Sequence, residues 1–309
     1  MIFLEIAIPT YNREKSLFRL LESISACKKV SGLKLLVTVI DNGALNCDFS
    51  IFSKSFELKY IKNDSNIGAV LNINKCFQVC EGDYLIVLGD DDLVVKGDFL
   101  KTVYNLLIGD PKIVLLNYFN LNHDGSIRQI NYGIEKEVNL EGYYKDFLLE
   151  CGWIGNCIYP KVIFKDFIID NYDTTKNGAF PHLLYQIKAI SKINFIYLSE
   201  PLVGNTYESF ESLSWKKDSL NYVLSFLKLM RSLITFIPSE YANHTKNLKI
   251  NFLKRINHFH LRDLNRLQNT TVYWANYKEL FFVLENDKKL KYFIFYFYIK
   301  LKFFFFRRK

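Results

Sequence analysis

The sequence predicts an α/β fold on a mostly parallel sheet with a helical segment appended, and three observations carry that expectation. Short apolar runs alternate with helical spacings through the first hundred residues. Polar residues fall immediately after those apolar runs, where strands of such a sheet end on one edge. Charge also divides the chain. Of 40 Lys and Arg and 32 Asp and Glu, residues 216–309 hold 19 and 6, a net of +13, leaving −5 for residues 1–215. We therefore read 1–215 as the α/β domain and 216–309 as a basic, aromatic-rich helical C-terminal domain.

Half of the 309 residues are hydrophobic, enough for one large domain and a smaller one. The opening run Met1 to Pro9 carries Glu5 among apolar residues and has no basic start, so it reads as a strand and not as a signal peptide. The six cysteines (27, 47, 76, 80, 151, 157) form no CxxC pair, which argues against zinc and for reduced thiols. No apolar run reaches the roughly 18 residues of a spanning helix.

In order, Ile2 to Ile8 is strand-like and leads to Pro9-Thr10-Tyr11-Asn12-Arg13. Leu17, Leu20, Leu21 and Ile24 then share one face of a helix over 16–25. Leu35 to Ile40 is a second strand ending at Asp41-Asn42-Gly43. Leu58 to Ile61 is a third, followed by Asn63 to Gly68 and a helix to about Val79. The fourth strand, Tyr84 to Leu88, ends in Gly89 and three consecutive carboxylates, Asp90, Asp91 and Asp92. Like charges at the end of a buried strand repel one another and lose hydration unless a cation or proton offsets them. Such a cluster suits Mg2+ or Mn2+ shared with phosphate oxygens; a solvated acidic turn is the plainer alternative. Tyr11, Asp41, Asn66 and the Asp cluster would line one crevice, an arrangement suited to a nucleoside diphosphate.

Four of these pieces, Ile8 to Arg13, Val39 to Gly43, Asn66-Ile67-Gly68 with Asn74, and Gly82-Asp83-Tyr84 leading to Leu88 to Asp92, occur in the order and spacing of the family 2 glycosyltransferases. Over about the first 100 residues the chain resembles that family. The resemblance implies a GT-A fold, a Rossmann-like mostly parallel sheet, and inverting transfer of a sugar from a nucleotide-sugar donor with Mg2+ or Mn2+. By it, Pro9, Tyr11, Asn12, Arg13, Asp41, Asn66, Gly68, Asn74 and Asp90 would contact the donor. Two departures stand out. The family's Asp-x-Asp-Asp reads Gly89-Asp90-Asp91-Asp92 here, so alignment favours Asp91 as metal ligand and a literal Asp-x-Asp reading favours Asp90 and Asp92. Counting back from Ser199 to Val203, Pro181-His182 stands where the family places Glu-Asp, the Asp being its base. An imidazole titrating near 6.5 can take a hydroxyl proton. His182 is thus expected as base, metal ligand or helix cap, with Asp173 and Asp170 as fallback bases.

Ile113 to Phe119 reads as a further strand and 120–125 as a turn carrying His123. Trp153, within Gly152 to Asn156, is expected either to wall the sugar pocket or to sit in the core. Tyr207 to Trp215 marks a domain edge. The regions 219–238 and 246–267 have helical spacing, the second with Arg255, His258, Arg262 and Arg266 in one polar stripe. After Asp287 no acid occurs, and Tyr292 to Phe306 is aromatic between Lys and Arg clusters. That pattern suits an anionic membrane surface, the alternative being a packed helix; nothing beside the charge suggests nucleic acid. The expected protein is a cytoplasmic, membrane-peripheral glycosyltransferase using a glycan or lipid-linked glycan acceptor in surface polysaccharide assembly. A nucleotidyltransferase or a non-catalytic scaffold would share the sheet.

Overall fold

The computed structural model describes residues 1–94, 97–122, 126–130, 143, 153–173, 180–190 and 192–206. The expected C-terminal domain, the stretch 207–215, the turn residue His123 and the first residue of the Gly152–Asn156 segment lie outside them.

Four strands run parallel at the front of the sheet: β1 (Ile2–Thr10), β2 (Leu33–Asp41), β3 (Glu57–Lys62) and β4 (Tyr84–Val87). Helix α1 (Glu14–Ser25) links β1 to β2, and α2 (Ala69–Gln78) links β3 to β4. This is the predicted order. The remaining strands are β5 (Asp92–Val94), β6 (Ile113–Leu121), β7 (Ile127–Ile130), β8 (Cys157–Pro160) and β9 (Phe195–Thr206). Three further helices are α3 (Phe99–Leu107), the short α4 (Lys161–Phe164) and α5 (Pro181–Ile190). Among the described residues the sheet order is β3-β2-β1-β4-β8-β6-β9-β5, with β7 paired to β6. The sheet is mixed: β8 runs antiparallel between β4 and β6, while β9 runs parallel to β6.

β1 is central and buried on both faces, as a continuous apolar run requires. Leu4, Ile6 and Ile8 pack with α1 and α3 through Leu17, Leu20, Leu21, Phe99 and Val103. On the opposite face Ala7, Leu85, Val87, Cys157 and Tyr159 pack with Phe77 of α2 and Leu183, Tyr185 and Ile187 of α5. The result is helix–sheet–helix layering. Glu5 is fully buried within it. Its carboxylate accepts from the Thr38 hydroxyl at 2.7 Å and from the Glu81 and Gly82 amides at 2.6 and 2.9 Å. Three donors offset the lost hydration and tie β1 to β2 and to the turn before β4.

Parallel strands β1, β2 and β4 end on one edge, and β8, being antiparallel, begins there. Helix α5 feeds β9, whose start pairs with the start of β6, so α5 begins at the same edge. The segments 10–13, 41–45, 63–68, 88–92 and 153–156 therefore converge.

Candidate active site

Pro9 sits in β1 opposite Ile40, beyond the point where β4 stops pairing at Ala7, so its missing N–H breaks no ladder bond on that side. Thr10 follows, and its hydroxyl donates to Asp90 Oδ2 at 2.7 Å. Tyr11 is half exposed at the rim. Asn12 turns the chain with φ 53°, a left-handed conformation Asn tolerates. Its Oδ1 would lie 2.2 Å from a Cβ at residue 43, so a side chain there would push the Asn12 amide aside. Arg13 then places its guanidinium over the acidic cluster, with Nη1 3.2 Å from Asp90 Oδ1 and 3.1 Å from Asp91 Oδ2.

The three carboxylates are not equivalent. Asp92 is buried, and accepts from the Gly89 amide at 2.6 Å and the Trp153 indole N–H at 3.1 Å. Asp90 is buried between Thr10 and Arg13. Asp91 has the most exposed side chain, 20% against 7% for Asp90. Burial, then the Asp91 charge, push Asp90 up to about 6 despite Arg13 and Thr10. Burial, then Asp91, also raise Asp92 well above the usual carboxylate range. Among the described residues no group of three or more His, Cys, Asp or Glu is arranged to hold a metal ion.

Asp41 is fully buried. Its carboxylate accepts from the Gly43 and Leu45 amides at 2.7 and 2.9 Å and the Tyr60 hydroxyl at 2.7 Å. It thus shapes the 41–45 loop, and one acceptor position remains on Oδ1. A chain of amides fixes the neighbouring loop. Asn42 Nδ2 donates to Asn66 Oδ1 at 2.7 Å, and Asn63 Nδ2 bridges Asn42 and Asn72 at 3.0 and 2.9 Å. Asn66 Oδ1 also accepts from the Gly68 amide at 2.9 Å, and Gly68, at φ 84°, opens α2. Trp153 is half-buried, with its ring 4.3 Å from Tyr118, so it both lines the cluster and joins the core.

Two further residues expected at the donor or the chemistry are buried. Asn74 is buried between α2 and α5, its amide donating to the Ile169 carbonyl at 2.8 Å and accepting from Tyr185 at 2.8 Å. His182 is 3% exposed near the start of α5, its ring edge-on to Phe180 and its carbonyl accepting from the Tyr159 hydroxyl. Asp173 is half-buried in the loop before α5, where Asp170 is exposed. Thr10, Tyr60 and Arg19, whose Nη2 donates to the Asp91 carbonyl at 3.2 Å, were not singled out by sequence. Only Thr10 had a signal, its place beside Tyr11.

Comparisons with known proteins bear on the family and the fold. The family model "Glycosyl transferase family 2" matches residues 5–172, more than half of the chain. A cellulose synthase catalytic subunit of Pseudomonas fluorescens is 33% identical over 113 residues, 36% of this chain but only 15% of that one. The abequosyltransferase RfbV of Salmonella typhimurium is 23% identical over 253 residues, covering 74% of each chain. The S. aureus TarS fragment 1–349, solved with UDP-GlcNAc, superimposes with a TM-score of 0.65 at 19% identity, covering 92% of this chain and 80% of that one. At that identity the superposition speaks to the fold, which is GT-A-like. The chain belongs to glycosyl transferase family 2.

Proposed function

We propose that this protein transfers a sugar, with inversion, from a nucleotide-sugar donor to a hydroxyl of a glycan acceptor in polysaccharide-type assembly. The observation that carries the reading is the convergence of Tyr11, Arg13, Asp41 and Asp90–Asp92 at one sheet edge. Tyr11 offers an exposed ring to the base, and the Asp41 loop with its amide chain sets the floor beneath it. Arg13 supplies a cation within reach of the diphosphate.

A divalent ion fits this donor set. Mg2+ commonly takes one or two carboxylates and completes its shell with phosphate oxygens and water. Asp91, the most exposed of the three, would hold it with help from Asp90, whereas Asp92 is committed to Gly89 and Trp153. When bound, Mg2+ or Mn2+ neutralises charge on the departing nucleoside diphosphate. The acceptor oxygen bonds to the anomeric carbon as the bond to the diphosphate oxygen breaks, and its proton passes to a base. His182 is the first candidate for that base and Asp173 the second, both near the start of α5. His182→Ala and Asp173→Ala, assayed side by side, test the two. Loss of turnover with retained nucleotide binding identifies the base.

We further propose a lipid-linked acceptor and peripheral membrane contact through residues 288–309, on their Lys, Arg and aromatic pattern. No helix among the described residues is long and apolar enough to cross a membrane. Replacing Lys300, Lys302, Arg307, Arg308 and Lys309 with Ser should abolish co-sedimentation with anionic vesicles. Equal sedimentation of that variant would remove the membrane part of the reading.

The experiment for the whole is a thermal-shift panel of UDP, GDP, CDP and dTDP with and without Mn2+, followed by product analysis with the matching nucleotide sugars. One nucleotide that stabilises, and whose sugar form is consumed with release of nucleoside diphosphate, supports it. Release of pyrophosphate would instead indicate nucleotidyl transfer, and silence across the panel a scaffold.

A further inference from the structure

Arg13 stands where its charge has two competing uses. One guanidinium nitrogen lies within 3.2 Å of Asp90 and 3.1 Å of Asp91, so it bridges the two carboxylates best placed for a divalent ion. The pair is held from below: Thr10 fixes Asp90 Oδ2, and Arg19 holds the Asp91 carbonyl at 3.2 Å. Asp92 is turned away by Gly89 and Trp153. Thr10 therefore keeps Asp90 in place and Arg19 keeps the Asp91 backbone in place if Arg13 leaves, whereas Arg13 has a more exposed side chain than either aspartate. Its side chain is 30% exposed, and it sits at the junction of the 10–13 loop and α1, with no capping bond from its own side chain.

From this geometry we infer that Arg13 is a resident counter-cation, exchanged for the divalent ion when the donor binds. Resting on the nucleotide-diphosphate reading above, the exchange runs as follows. A cation arriving alone must compete with the guanidinium for Asp91 and so breaks the bridge that Arg13 makes between the two carboxylates. When a diphosphate arrives with the ion, its oxygens become the new bidentate partner of the guanidinium, an arrangement that planar group favours. Ion and nucleotide thus bind cooperatively, and by linkage each must tighten the other by the same factor. Asp90 and Asp91 are never left as an uncompensated buried pair, with or without donor. Arg19, which donates to the Asp91 carbonyl, serves as a positioning residue.

The test is direct binding of Mn2+, read by electron paramagnetic resonance of the free ion, to wild type, Arg13→Gln and Arg13→Lys. Each is measured alone and with the nucleoside diphosphate that gives the largest thermal shift for wild type. Wild type should bind Mn2+ at least tenfold more tightly with the nucleotide than without it. Arg13→Gln should bind Mn2+ alone at least threefold more tightly than wild type, and its gain from nucleotide, now due to direct ion–phosphate contact, should be at least threefold smaller than that of wild type. Arg13→Lys, which keeps the charge without the planar fork, should fall between them. Unchanged or weaker Mn2+ binding by Arg13→Gln, with its circular dichroism and melting intact, overturns the exchange. So does an absence of Mn2+ binding by all three proteins. Consumption of the matching nucleotide sugar by wild type with Mn2+ present reports separately on the nucleotide-sugar reading, so failure of one is distinguishable from failure of the other.

Discussion

Replacing Asp92 with Ala separates a brace from a ligand. Both of its oxygens are engaged, one by the Gly89 amide at 2.6 Å and one by the Trp153 indole at 3.1 Å, and the residue is 1% exposed. Truncation leaves two donors without an acceptor at a part-buried turn. A stranded buried donor costs about 1–3 kcal/mol, so the pair should cost about 2–6 kcal/mol. An opposing gain comes from removing a carboxylate whose charged form is disfavoured by burial and by Asp91, which places the expected loss toward the lower half of that range. Urea denaturation, comparing midpoints at unchanged slope, measures it directly. Nucleotide-dependent Mn2+ binding should survive in whatever fraction remains folded. If Asp92→Ala were as stable as wild type within about 0.5 kcal/mol yet bound no Mn2+, Asp92 would be a ligand and the division of roles among the three carboxylates would be wrong.

Other consequences are equally specific. Glu5→Ala strands the Thr38 hydroxyl and the Glu81 and Gly82 amides, and should lower stability by about 3–5 kcal/mol in urea; a loss below about 1 kcal/mol would refute the tie between β1, β2 and β4. Asp90, raised to about 6, holds its proton more tightly in the folded protein than in the unfolded chain. Its contribution therefore declines as pH rises from about 4 to about 6, by at most about 3 kcal/mol. Asp90→Asn should flatten that slope in denaturation midpoints taken across this range. Tyr11→Ala removes a half-exposed ring, and should weaken nucleotide binding about tenfold with little change in melting temperature; unchanged binding would move the base elsewhere.

The first four strands and two helices were legible because each is a short apolar run or a clean helical face closed by polar residues. What followed was harder for physical reasons. β5 is three residues long, and β8 is a four-residue run, Cys157 to Pro160, whose partner strands lie some 40 and 70 residues away in sequence. Nothing local distinguishes such a strand from a buried loop. At the site, the acidic cluster and its neighbours were legible from position after strands. The inequality of Asp90, Asp91 and Asp92 was not, because it depends on Thr10, Arg13 and Trp153, each more than 60 residues distant from its partner.

Position along an element decides which expected residues reach the crevice. Asn74 shares the spacing of the family's motif, but it is the sixth residue of α2, which begins at the carboxyl edge with Ala69. At 1.5 Å per residue that places it about 7–8 Å down the helix, and there Tyr185 and Ile169 claim its amide. Trp153 lies much further along the chain, yet it joins the site because β8 begins where β4 ends. Antiparallel insertion thus recruits a segment that a wholly parallel sheet would have carried to the opposite edge. His182, second residue of α5, stands at the correct end of its helix, which is why a base there remains geometrically reasonable despite its burial. The motif's spacing places residues near the edge, and strand direction then selects those that reach the crevice.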